Sequence, residues 1–155
     1  TRSRLKLPSR CSSRARPRSF WIIGTSKSAS AGICRTNGPR YFTIGDATTL
    51  PFPNDSFDLV LAIEVFEHLG DTAGALHELH RVCSGSLIAS VPFEPIWRAG
   101  NMARGRYWRE LGNTPGHINH WTKNGFAELV GRRFDVRAVR SPLPWTMVAA
   151  SVRSA

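Results

Sequence analysis

The chain has 155 residues, 41% of them hydrophobic, and a formal net charge of +10. That length supports one domain with a real core, and no apolar run approaches the length of a membrane-spanning helix. The charge excess is local: ten of the 21 basic residues and none of the 11 acidic ones precede position 46, so the rest holds 21 − 10 = 11 basic against 11 acidic residues.

Residues 1–19 are rich in Arg, Ser and Pro and show neither a helical nor a strand period, which predicts disorder. Residues 20–23 predict a short strand, followed by a Ser/Gly/Ala stretch without pattern. From Arg40 the sequence becomes regular. Residues 41–44 predict a short strand, and Pro51, Pro53, Asn54 and Asp55 a loop. Residues 57–63 are nearly all apolar, as in a parallel strand covered on both faces. Asp71 or Thr72 caps a helix whose face carries Leu76, Leu79, Val82 and Cys83, with Ser84-Gly85 as its stop. Residues 87–91 form a further buried strand ending at Pro92. Residues 94–121 form a long aromatic and basic insertion. Thr122 caps a helix burying Phe126, Leu129 and Val130. Phe134, Val136 and Ala138 alternate with Asp135 and Arg137 in a strand near a sheet edge. Residues 145–152 form the last strand. The link before it is too short for a helical crossover, so the last two strands are antiparallel if adjacent. Strands alternating with helices predict an α/β fold: a truncated Rossmann-like sheet, complete in its C-terminal half and ending on an antiparallel strand. Two units follow, a basic, disordered or aberrant segment over residues 1–39 and a domain over residues 40–155.

The stretch at residues 45–69, GDATTLPFPNDSFDLVLAIEVFEHL, carries the most chemistry. In open α/β sheets ligands lie beyond the carboxyl ends of strands. Asp46 stands at such an end, where its carboxylate can accept from an exocyclic amine while the Ala47 N–H meets a ring nitrogen. Glu64 stands at the next. Gly-Asp-Ala, Leu-Pro-Phe, Ser-Phe-Asp and a strand ending in Glu-Val-Phe-Glu-His, in that order, resemble class I S-adenosylmethionine-dependent methyltransferases of the type 11 kind. The resemblance covers about residues 40–152. It implies a transferase with S-adenosylmethionine as cofactor: Asp46 and Ala47 on the adenine, Leu50 and Phe52 shaping the adenine pocket, and Glu64 near the methionine portion.

His68, Trp97, Tyr107, Trp108 and His117 are candidate residues for the methyl acceptor, a small or lipid-like molecule that the sequence does not identify. The insertion mixes Trp97, Tyr107, Trp108 and Trp121 with Arg98, Arg104, Arg106 and Arg109, which suits either a lid over the acceptor or an amphipathic helix docked by its Trp face. No catalytic base can be assigned. Glu64, Glu67 and a single His68 do not define a metal geometry, so no metal is expected.

The resemblance also implies a glycine-rich loop after the first strand and an acidic ribose ligand after the second. Gly24, Ser26 and Ser28 occupy the glycine register, and no Asp or Glu precedes Asp46. The residues between Ser28 and Arg40 hold one helical crossover at most, so a strand–helix pair is expected to be absent, leaving strands 41–44 and 57–63 short of neighbours and prone to self-association through an exposed edge. A shifted reading frame at the gene start, an organellar targeting segment or a basic arm for nucleic acid or an acidic membrane surface would each produce such an N-terminal segment. The odd cysteine count and short apolar run at residues 20–23 predict a reducing, cytoplasmic setting. A non-catalytic remnant or basic-arm binding module is the alternative to an enzyme.

Overall fold

A computed structural model describes residues 20–26, 29–35, 41–109, 111–114 and 116–153; the expectation of disorder over residues 1–19 lies outside them. The elements in chain order are β1 (Phe20–Ser26), β2 (Ala29–Arg35), β3 (Tyr41–Gly45), β4 (Phe57–Ile63), α1 (Thr72–Val82), β5 (Cys83–Pro92), α2 (Glu94–Ala103), α3 (Lys123–Gly131), β6 (Phe134–Arg140) and β7 (Trp145–Val152). They build one seven-stranded sheet in the order β3-β2-β1-β4-β5-β7-β6. β1, β4 and β5 run parallel; β7 is antiparallel to both β5 and β6, as the short link before it requires. The alternating pattern of β6 matches its place at a sheet edge. Among the described residues, no helix is long and apolar enough to cross a membrane.

The N-terminal half departs from expectation in an instructive way. β4 is not short of a neighbour, because β1 pairs with it in parallel register from Phe20 opposite Leu59 to Ile23 opposite Ala62. The unpatterned Ser/Gly/Ala stretch is strand β2, antiparallel to both β1 and β3. The shortfall lies in the crossovers. Ser26 pairs with Ala29, so only positions 27–28 join β1 to β2, and positions 36–40 join β2 to β3. Neither link reaches the ten or so residues a helical crossover takes. Without a helix there, β4 is covered less than a two-sided strand would be. Val60 and Ala62 are buried, Leu59 and Leu61 half-buried, and Ile63 is 38% exposed.

The core joins Val60 and Ala62 of β4, Leu87, Ala89 and Val91 of β5, and Val148 and Ala150 of β7 to Leu76, Leu79 and Val82 of α1 and Phe126, Leu129 and Val130 of α3. Both helices are capped as their sequences predict. The Asp71 side chain accepts from Gly74 N at 2.8 Å, and Thr122 Oγ1 accepts from Gly125 N at 3.1 Å. Gly85 is a different matter. It does not stop α1 but lies inside β5, where a Cβ would stand 2.3 Å from Asp58 O on β4. Close approach of the two backbones, not helix termination, requires the glycine.

One polar cluster ties α1 to the loop that leads into β4. Arg81 forks onto Glu78 at 2.7 and 2.8 Å and also donates to Leu50 O (3.0 Å), Phe52 O (2.7 Å) and Asn54 Oδ1 (3.0 Å). Glu78 in turn accepts from Leu50 N at 2.8 Å. The Arg81 guanidinium is the first cause holding the Glu78 carboxyl below its ordinary pKa.

Two outcomes follow for this cluster. Replacing Arg81 by Ala strands the Leu50 and Phe52 carbonyls and the half-buried Glu78 charge, and should cost about 1–3 kcal/mol in denaturant unfolding. Arg81→Lys should not restore it, because an ammonium lacks the fork. Because the folded pKa of Glu78 is depressed, its contribution is complete above the ordinary carboxylate pKa and fades as pH falls through the lowered one. Urea midpoints measured from pH 7 downward should therefore fall more for the native chain than for Glu78→Gln; parallel curves would show that the pair is not coupled to folding.

Candidate functional site

The carboxyl ends of β1, β3, β4 and β5 share one edge of the sheet, since two antiparallel pairings return β3 to the direction of β1. Asp46 follows β3 and Glu64 follows β4, with β2 and β1 between them. Three strand spacings separate them, about 14 Å. The Asp46 carboxylate is exposed, and its Oδ1 accepts from both Thr48 N and Thr48 Oγ1 at 2.8 Å. Those two bonds hold its pKa below the ordinary value and fix the turn. Ala47 and Leu50 are buried at 2% and 6%. Phe52 packs edge-on against Phe57 with centroids 5.0 Å apart. Leu50 and Phe52 thus lean on the core side of this loop.

Glu64 adopts a left-handed backbone (φ 55°), which turns the chain sharply as it leaves β4. Its carboxylate accepts from Trp145 Nε1 at the start of β7. Trp145 and Trp97 of α2 lie 6.4 Å apart, centroid to centroid. Together with Ile96, Gly100, Arg104 and Pro144 they line a cavity of about 380 Å³. Its walls are mainly apolar, with the Arg104 side chain as the charged group. Sequence reading missed Pro144 and Trp145, because a residue opening the last strand gives no sign that it folds back over α2.

The insertion is a helix followed by an irregular return. Trp97 Nε1 donates to Thr114 Oγ1 (2.9 Å), Arg98 Nε to Leu111 O (2.9 Å) and Asn101 Nδ2 to Gly112 O (2.9 Å), which lays the return along α2. Gly112 has φ 77°, and a Cβ there would meet Arg98 O at 2.3 Å. Tyr107 and Trp108 do not line the cavity: Trp108 is 60% exposed, and Tyr107 sits beneath the Arg106 guanidinium, 5.9 Å from its ring centre.

Past Glu64, residues 66–68 form a single 3-10 turn anchored by Phe66 against Phe126, centroids 5.5 Å apart. The end of the return docks on this turn. Ile118 N and Asn119 N both donate to Glu67 O (2.9 and 3.1 Å), and Asn119 Nδ2 donates to Phe66 O and Leu69 O (3.0 and 2.6 Å). This brings Glu67 and His68, considered together in the sequence, up to His117 from the far side of the insertion. The two imidazoles meet edge-to-face at 4.9 Å, and Trp97 stacks on His117.

The comparisons with known proteins agree with this architecture. A family model described as a methyltransferase domain matches residues 22–88. Ajmaline N-methyltransferase of Rauvolfia serpentina is 46% identical over 48 residues, which are 30% of this chain and 16% of that protein. Among solved structures, the complex of the Haloferax volcanii Trm112 methyltransferase activator with a methyltransferase is similar at TM-score 0.56 and 16% identity, covering 71% of this chain and 60% of that one. A SAM-dependent methyltransferase from Methanosarcina mazei is similar at TM-score 0.54 and 19% identity, covering 71% and 66%. The chain therefore spans about a sixth of that curated relative and some two thirds or less of these structures. The match to a methyltransferase domain thus runs from β1 into β5, and the sheet is shared with these structures.

Proposed function

We propose that the chain binds S-adenosylmethionine along the carboxyl edge of β3, β1 and β4 and transfers its methyl group to a small, largely apolar acceptor. The observation that carries this reading is the pair Asp46 and Glu64, each ending a strand on the same sheet edge within the family-matched segment. Asp46 Oδ2 and the Ala47 N–H would take the adenine, and Glu64 would face the methionine portion. S-adenosylmethionine supplies an electrophilic sulfonium methyl. The work left to the protein is to align the acceptor in line with it and to exclude water. The cavity between Trp97 and Trp145 adjoins Glu64 through the Trp145 indole, which makes it the acceptor chamber in this reading. The similarity to an N-methyltransferase favours a nitrogen nucleophile. The domain would work in the cytoplasm, and β3, an edge strand, offers a ladder through which two copies could pair.

A second reading has an observation of its own. Two residues link β1 to β2, leaving no place for the loop and helix N-terminus that would offer backbone amides to the cofactor. A remnant that no longer binds S-adenosylmethionine would have this form. The division of the chain near residue 39 belongs to that reading.

Isothermal titration with S-adenosylmethionine separates the two. Binding with a micromolar Kd, weakened roughly tenfold or more in a folded Asp46→Ala chain, is the expected result. No heat at millimolar ligand would establish the remnant. For the acceptor chamber, Trp97→Ala should leave S-adenosylmethionine affinity within about twofold, yet abolish saturation by any acceptor that the native chain methylates. Unchanged acceptor KM would move the chamber elsewhere.

A further inference from the structure

We propose that Glu67, His68 and His117 form a binding site for one divalent transition-metal ion of the zinc type. One ligand atom from each, a carboxylate oxygen and two imidazole nitrogens, lies within 4.8 Å of the others. Around a tetrahedral zinc such atoms stand about 3.4 Å apart, so side-chain rotations of about an ångström close the set. Two histidines and one carboxylate are a donor set suited to zinc and its first-row neighbours, and three protein ligands leave a coordination position open.

Three further features belong to a built site rather than a chance grouping. The first is the orientation of His68. Its Nδ1 lies 2.8 Å from Gly116 O, and a carbonyl can only accept, so the neutral ring carries its proton on Nδ1. The Nε2 lone pair then remains for a metal, on the side where Glu67 Oε1 lies 4.0 Å away. A ring nitrogen donating to a backbone carbonyl is the usual support for a metal-bound histidine. Gly116 presents that carbonyl from φ 97°, a backbone that a side chain would strain.

The second feature is burial: Glu67 is 1% and His117 8% exposed. A dication there would be largely withdrawn from water and would offset the cost of burying the carboxylate. The third is rigidity. The Glu67 carbonyl takes two backbone donors from residues 118 and 119, and Asn119 clasps both ends of the 66–68 turn, so the two segments carrying the ligands are fastened together before any ion arrives. Trp97, stacked on His117, also lines the 380 Å³ cavity, so the site borders the proposed acceptor chamber.

The test uses the full chain, stripped with chelator and dialysed against zinc chloride, with bound zinc measured by elemental analysis and no S-adenosylmethionine present. A failure here is thereby kept apart from a failure of cofactor binding. One zinc per chain at micromolar or tighter Kd is expected. His68→Gln, at a residue about one-third exposed, and His117→Gln should each weaken it at least tenfold while the far-ultraviolet circular dichroism is kept. Cobalt(II) in place of zinc should give visible bands without intense thiolate charge-transfer absorption. Substoichiometric zinc, equal affinity in a folded His68→Gln chain, or a strong thiolate band that assigns the ion to cysteine would each overturn the proposal.

Discussion

The Arg81–Glu78 fork is the interaction on which the candidate site depends. The loop between β3 and β4 contains Pro51 and Pro53, which lack N–H groups, and its backbone cannot satisfy itself as a helix or strand. Arg81 supplies the donors for Leu50 O and Phe52 O, while Glu78 takes the Leu50 N–H. One charged pair at the end of α1 therefore fixes the path of residues 50–54. Through them it supports Asp46 and Ala47, whose turn is also held by the Thr48 contacts and the Thr49 N to Asp46 O bond. The turn carrying Glu67 and His68 is held differently, by Phe66 on Phe126 and by Asn119. The two ends of the proposed ligand track thus rest on separate supports.

Much of the C-terminal half was legible because its physics is local. The apolar runs of β4 and β5, the caps at Asp71 and Thr122, and the helical faces of Leu76/Leu79 and Phe126/Leu129/Val130 each follow from period and burial. What escaped depends on partners far along the chain. Glu78 and Arg81 were not singled out in the sequence, because nothing near them says that the loop before β4 will need their hydrogen bonds. Gly85 reads as a helix stop, because its actual constraint, the Asp58 carbonyl, is on another strand. β2 lacks an alternating pattern, so only its pairing with β1 and β3 identifies it. Glu67 and His68 alone define no metal geometry; His117 completes the set only once the return from α2 docks on the 66–68 turn.

The N-terminal half of the sheet poses the sharper mechanistic question. β1 is an interior strand, between β2 and the central β4, so the sheet keeps its continuity. Yet Gly24 and Ser26, which fall in the glycine register of the resembling family, are paired residues of a strand, opposite Ala31 and Ala29. A strand pairing uses backbone amides that a loop would otherwise direct at a ligand. Recognition of S-adenosylmethionine would then fall mainly on residues 46–50 and on Glu64, with fewer backbone donors than a loop followed by a helix provides. The proposed activity therefore rests on the β3–β4 side of the edge.

Hydrogen–deuterium exchange of the full chain with and without saturating S-adenosylmethionine tests that account most directly. Protection confined to residues 46–52 and 64–69, with the 83–92 strand unchanged, is the predicted result. Exchange identical in both conditions, or protection only outside those two segments, would contradict it.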